Sequence, residues 1–123
     1  MSIELIIYLI FGGTLGVLSR LFITRKNNLK LQLKGDNFST VNFISSFMTG
    51  IYIALDISSK KIILFFSIGF LGCFSTFSSF IFYLFTLLKE QKYMQFLKFY
   101  FFSLINSFLL VFVGFFVIKI IFK

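Results

Sequence analysis

The stretch Gly69-Phe70-Leu71-Gly72-Cys73-Phe74-Ser75-Thr76-Phe77-Ser78-Ser79-Phe80 lies in the middle of an apolar run over residues 62–88. A helix crossing hydrocarbon satisfies every backbone donor and acceptor within itself, and two glycines followed by clustered hydroxyls work against that regularity. Irregular backbone at such depth survives only where it is buried in protein or lines a polar cavity. The pattern therefore predicts a membrane-embedded helix that unwinds around Gly72–Ser75.

Composition sets the solvent. Of 123 residues, 59% are hydrophobic and the mean hydropathy is +1.00, whereas soluble domains are nearer half apolar. Four apolar segments, 3–23, 38–55, 62–88 and 96–122, each approach the roughly 20 residues that span a bilayer as helix. The expected fold is an all-α integral membrane protein: one domain over 1–123 with four transmembrane helices, the third broken near its middle. Four short helices enclose little interior, so a transport path calls for a second subunit.

The net charge of +8 does not point to nucleic acid. Lys26, Lys30, Lys34, Lys60, Lys61, Lys89, Lys92 and Lys123 mostly flank the apolar segments, where cations meet lipid headgroups. A single cysteine, Cys73, excludes an internal disulfide, and with no histidine there is no plausible zinc or haem site. Glu4 stands where a removable signal peptide carries basic residues, and the first apolar stretch is too long for one. The chain has 22 phenylalanines, so any one pair means little. Only their setting beside Gly72–Thr76 gives Phe77 and Phe80 weight.

The other segments carry their own polar marks. Gly12 and Gly16 form a G-x-x-x-G pattern that lets helices approach closely. Arg20, near the end of that segment, either snorkels to the interface or stands at the mouth of a vestibule. In the second segment, Asn42 follows Ser39-Thr40-Val41. Its amide can donate two hydrogen bonds to an anion or bond across helices. Asn37-Phe38-Ser39 has the form of a glycosylation acceptor, a short pattern with many chance matches. In the fourth segment Ser103 and Ser107, four apart, share one helical face, although a serine can also bond its own i−4 carbonyl.

Taken together these marks resemble the CrcB/Fluc family of fluoride channels. The third segment matches the pattern G-F-x-G-G-x-T-T-F-S-T-F at Gly69, Gly72, Thr76, Phe77, Ser78 and Phe80, and departs from it at Cys73, Ser75 and Ser79. Gly12, Gly13, Gly16 and Arg20 fit the first-helix pattern G-G-x-x-G-A-x-x-R. Val41, Asn42 and Gly50 fit the second, where Asn37-Phe38 replaces a usual Gly-Thr. Ser103 and Ser107 resemble the hydroxyl pair of the fourth helix, with Phe99 where an aromatic hydroxyl is common.

The resemblance implies a passive fluoride channel, not an enzyme, that relieves fluoride toxicity. It would sit as a multi-pass protein in the cell membrane, the inner one in a double-membraned bacterium. Its partners would be fluoride, membrane lipid and a second copy or a paralogous subunit in the opposite orientation. The fluoride path would comprise Asn42, Phe77, Phe80, Ser78, Ser103, Ser107 and Thr40, with Arg20 at the vestibule. The backbone carbonyls of Gly72 and Ser75 from two subunits would hold one structural Na+. Fluoride is small and strongly hydrated, so donors must replace its water; ring edges, positive in the aromatic quadrupole, add a second kind of contact. The loops holding Arg20, Arg25, Lys26, Lys30, Lys34, Lys89, Lys92 and Lys98 outweigh those holding Lys60, Lys61, Lys119 and Lys123. That bias raises the prospect of a paralogous partner. Two rivals remain: a non-conducting subunit that completes a partner's pore, and a small multidrug-type exporter, for which the deeper first helix lacks the needed carboxylate.

Overall fold

The computed structural model describes residues 2–26 and 36–122. The linker around Lys30 and Lys34 lies outside the described residues, as do the side chains of residues 36–39. The described residues are helical throughout, with short turns and no strand. Helix α1 spans Ile3–Lys26 and α2 Asp36–Ala54. A third run, α3, covers residues 60–74: a first turn at Lys60–Ile62, wide π-helical turns over Ile63–Leu71, and a last α-turn at Gly72–Phe74. Helix α4 follows at Phe77–Lys89 and α5 at Tyr93–Ile121. Among the described residues, three stretches are long and apolar enough to cross a bilayer: Ile3–Arg25, Lys60–Lys89 and Tyr93–Ile121. The apolar part of α2, Thr40–Ala54, is shorter, roughly 22 Å at 1.5 Å per residue.

Glycine determines which helices pair. A Cβ on Gly12 would stand 1.9 Å from the Phe65 carbonyl oxygen, and one on Gly16 2.4 Å from that of Phe70. The two contacts advance together along both chains, so α1 and α3 run parallel with their backbones touching. Lys61, at the start of α3, forms an ion pair with Glu4 at the start of α1, which agrees with that direction. Cys73 packs here as well: its Sγ would lie 3.3 Å from a Cβ on Gly13, so a thiol fills the room a small residue leaves.

A second seam joins α2 to α5. Gly50 faces the Val111 carbonyl and Gly114 the Phe47 carbonyl, at 2.1 and 2.3 Å from their would-be Cβ atoms. Small residues allow such approach where lipid supplies no hydrophobic drive between helices. Helices α4 and α5 form an antiparallel hairpin through Glu90-Gln91-Lys92. Gln91 adopts a left-handed φ of 56°, and the Lys92 N–H returns to the Leu87 carbonyl at 2.9 Å, the bonding of a Schellman turn.

Few side chains are buried within the single chain. Val41, Leu71, Phe74, Leu84 and Leu87 form the interior, while large apolar residues cover much of the outside. That distribution suits a solvent of lipid tails.

Between α3 and α4 the helical path stops for two residues. Ser75 (φ −69°, ψ 154°) and Thr76 (φ −139°, ψ 100°) are extended. The unwinding expected from Gly72 onward thus falls later, because Gly72 itself is helical at φ −63° and ψ −34°. Among the described residues nothing requires a glycine there; a Cβ would meet none of their atoms nearer than the Ser67 carbonyl oxygen at 4.0 Å.

Candidate functional site

The interruption is held by side chains. Asn42, on α2, grips the Thr76 peptide at both ends: the Thr76 N–H donates to Asn42 Oδ1 at 2.8 Å, and Asn42 Nδ2 donates to the Thr76 carbonyl at 3.2 Å. Thr76 then caps α4, accepting the Ser79 N–H on Oγ1 at 3.3 Å and sharing a hydroxyl hydrogen bond with Ser79 at 3.0 Å. An N-cap threonine typically contributes about 1 kcal/mol.

These bonds have a consequence for the carbonyls. In an unbroken helix the Thr76 N–H would return to the Gly72 carbonyl and the Ser79 N–H to that of Ser75. Both donors are taken, one by Asn42 and the other by the Thr76 hydroxyl. The Gly72 and Ser75 carbonyls are therefore among those the interruption releases, together with those of Cys73 and Phe74.

Beside the interruption lies a cavity of about 380 Å³. Helix α2 lines it with Asn42, Ser45, Ser46 and Thr49; α4 adds Phe77, Phe80 and Tyr83; α5 adds Phe99, Ser103 and Ser107; Ser75 closes one side. None of the described residues that line it carries a formal charge. Five expected residues, Asn42, Phe77, Phe80, Ser103 and Ser107, meet around this one space. Three do not: Thr40 and Ser78 are exposed and Arg20 is half-buried, none of them lining it.

Sequence reasoning passed over Ser45, Ser46 and Thr49. With Asn42 they recur at i, i+3, i+4 and i+7, the period of one helical face, and that spacing was the available signal. Tyr83 was passed over as well; its place three residues after Phe80 offered only a weak periodic hint.

The hydroxyls fall into two kinds. Thr14, Thr24, Thr49, Ser75 and Thr86 each donate to the carbonyl four residues back, at 2.8–3.0 Å. Ser103 does not. It is 8% exposed, and its Oγ has no hydrogen-bond partner among the described residues. The rings nearby form a connected set. Phe77 and Phe80 have centroids 6.1 Å apart, Phe80 and Phe99 5.8 Å, and Tyr83 meets Phe99 in a T-shaped contact at 4.6 Å. Phe77 remains 75% exposed. In the hairpin turn Lys92 pairs with Glu90 at 2.7 Å. That hydrogen bond, then the Glu90 charge and a smaller effect of Tyr83, hold the ammonium pKa above its ordinary value.

A glycine-seamed helical membrane protein with a neutral, hydroxyl-lined cavity beside a helix interruption is the class these observations define. The profile of the family described as "CrcB-like protein, Camphor Resistance (CrcB)" matches residues 7–115, and the chain belongs to that family. It is 46% identical over 123 residues to the "Fluoride-specific ion channel FluC 2" of Prochlorococcus marinus (strain MIT 9312), covering 98% of this chain and 99% of the relative. It is 41% identical over 76 residues to the protein of the same name from Prochlorococcus marinus subsp. pastoris (strain CCMP1986 / NIES-2087 / MED4), which covers 62% of each chain. The "Fluoride-specific ion channel FluC" of Thermosipho africanus (strain TCF52B) is 38% identical over 76 residues, covering 57% of this chain and 61% of its own. These relatives are named as ion channels and not as enzymes.

Proposed function

We propose that the chain is a subunit of a dimeric fluoride channel through which fluoride leaves the cell passively, lowering its toxicity in the cytoplasm. One observation carries the reading: the buried, unpartnered Ser103 hydroxyl on the wall of a neutral cavity shared with the Asn42 amide and the Phe77 and Phe80 rings. A buried donor left unused costs about 1–3 kcal/mol, and a bare halide, which accepts and never donates, would relieve that cost. The Asn42 amide keeps one N–H beyond the one given to Thr76. Ring rims add electropositive edges. A lining without fixed cations holds the ion weakly enough for it to leave. The interior-negative potential would drive the flux, at about 2.3 kcal/mol per charge per 100 mV. The names of the relatives support the same reading.

In this reading α1, α2, the run from α3 to α4, and α5 are four membrane crossings, the third broken at Ser75–Thr76. Two subunits would associate in opposite orientations in the cell membrane. The exposed Phe77 and Ser78 would lie where a partner completes the path, and Thr40 would act only along that completed path. Arg20 would gather anions at its mouth. The Gly72 and Ser75 carbonyls, deprived of their helical donors, suit a small hard cation; from both subunits they would hold a structural Na+ that ties the protomers together. The room around Gly72 favours a second chain at that point.

The test is fluoride efflux from liposomes containing only this protein, with and without sodium. Efflux is expected, and Asn42→Ala and Phe80→Ile should each abolish it while assembly persists. If both variants conduct normally, the site is wrong. Silence cured by a second subunit would instead support the non-conducting role, the reading to which the departures at Cys73, Phe38 and Phe99 lend weight. Proton-coupled export finds no support: α1 carries one acid, Glu4, at its end and paired with Lys61.

A further inference from the structure

We infer that Tyr83 is a further anion-contacting residue, whose phenolic O–H extends the row of donors toward the hairpin end of the cavity. The inference rests on the fluoride-channel reading above. On α5 the cavity wall runs Phe99, Ser103, Ser107, one turn apart, which is about 6 Å per step. The donors on that wall stop at Ser103, and the next step toward the α4–α5 turn is a phenylalanine. A desolvated fluoride would meet there a stretch with ring carbon and no O–H.

Tyr83 stands at that point. It lines the same cavity, and its ring crosses that of Phe99 in a T-shaped contact with centroids 4.6 Å apart. Phe99 thereby fixes the phenol ring, which is flat and has two torsions, on the cavity side of α4. Phe77, Phe80 and Tyr83 follow at three-residue steps, so the helix that supplies ring edges ends its row with a hydroxyl. Among the described residues this hydroxyl donates no hydrogen bond, so it is free to turn toward an anion in the cavity that Tyr83 lines. Beyond the phenol, in the α4–α5 turn, stands the Lys92–Glu90 ion pair. The geometry gives an anion entering from the turn a phenol first and then the serine hydroxyls.

The test is fluoride efflux from liposomes holding the full chain as wild type, Tyr83→Phe, and Tyr83→Phe combined with Phe99→Tyr. Size-exclusion elution of each protein reports assembly. Tyr83→Phe removes one oxygen and keeps the ring against Phe99. It should slow efflux at least about tenfold, as expected for loss of a hydrogen bond to a charged group, with unchanged elution. Returning a hydroxyl through Phe99→Tyr should recover most of the flux, which a purely structural role for Tyr83 would not permit. Wild-type flux matched by Tyr83→Phe overturns this inference alone and leaves the channel reading standing. A slow Tyr83→Phe that elutes abnormally and is not mended by Phe99→Tyr also overturns it. A wild type that carries no fluoride overturns both readings together.

Discussion

Replacing Ser103 by alanine removes a donor that the folded chain leaves unused. The substitution is therefore expected to hold or raise stability, by up to about 1 kcal/mol, while lowering fluoride flux. Thermal unfolding in detergent beside liposome efflux measures the two effects separately. A variant that unfolds earlier yet conducts normally would make Ser103 a structural residue. Gln91 gives a second prediction of known sign. Its left-handed φ of 56° is one that glycine adopts without strain, so Gln91→Gly should stabilise the α4–α5 hairpin by up to about 1 kcal/mol, read as a higher unfolding temperature with efflux unchanged.

At the scale of elements, the paired helices and the interruption make different demands. Gly12 and Gly114 touch carbonyl oxygens across their seams, with would-be Cβ contacts of 1.9 and 2.3 Å. Backbone cannot yield as a flexible side chain can, so alanine at either position should destabilise by about 3 kcal/mol or more, seen as loss of the folded protein in detergent. The interruption depends on one residue far away in sequence. Asn42→Ala would leave the Thr76 N–H and carbonyl without their partner, at a cost of about 1–3 kcal/mol for each group that stays buried. Hydrogen exchange at Ser75–Ser79 is expected to quicken. This non-local grip explains what the sequence could and could not convey. The glycines and hydroxyls at 69–80 signalled irregular backbone, yet local composition pointed to Gly72, whereas Asn42, 34 positions upstream, decides that Thr76 is the residue drawn out. The motif brought Asn42, Phe77, Phe80, Ser103 and Ser107 to attention, and they do line one cavity. Ser45, Ser46 and Thr49 were legible too, at helical spacing with Asn42, a periodicity the motif match did not bring forward. Tyr83 was hidden by composition: in a chain so rich in aromatic residues, one more ring on a helix carries no signal until a neighbour fixes where it points.

At the scale of the whole molecule, the single chain leaves much undone. Its interior is a handful of side chains, and Phe77, beside the cavity, is 75% exposed. In the proposed dimer, Gly72 separates the chain's own needs from those of the assembly. Since a Cβ there meets none of the described residues closer than 4.0 Å, Gly72→Ala should leave the helices of each subunit intact by circular dichroism. Its effect should appear in dimer dissociation and in the dependence on sodium. If Gly72→Ala unfolds the protomer and leaves association unaltered, the surface around Gly72 is not where two chains meet.

The charge-free wall of the cavity has a further implication for the conditions under which such a route could operate. The chain contains no histidine, the side chain whose ordinary protonation falls between pH 5 and 8, and among the described residues the lining includes no carboxylate and no amine. Throughput should accordingly stay flat as the outer medium is acidified across that range. Acid surroundings are where neutral hydrogen fluoride diffuses inward through lipid and releases its halide in the near-neutral cytoplasm, so an exit indifferent to acidification would stay open when the burden is greatest.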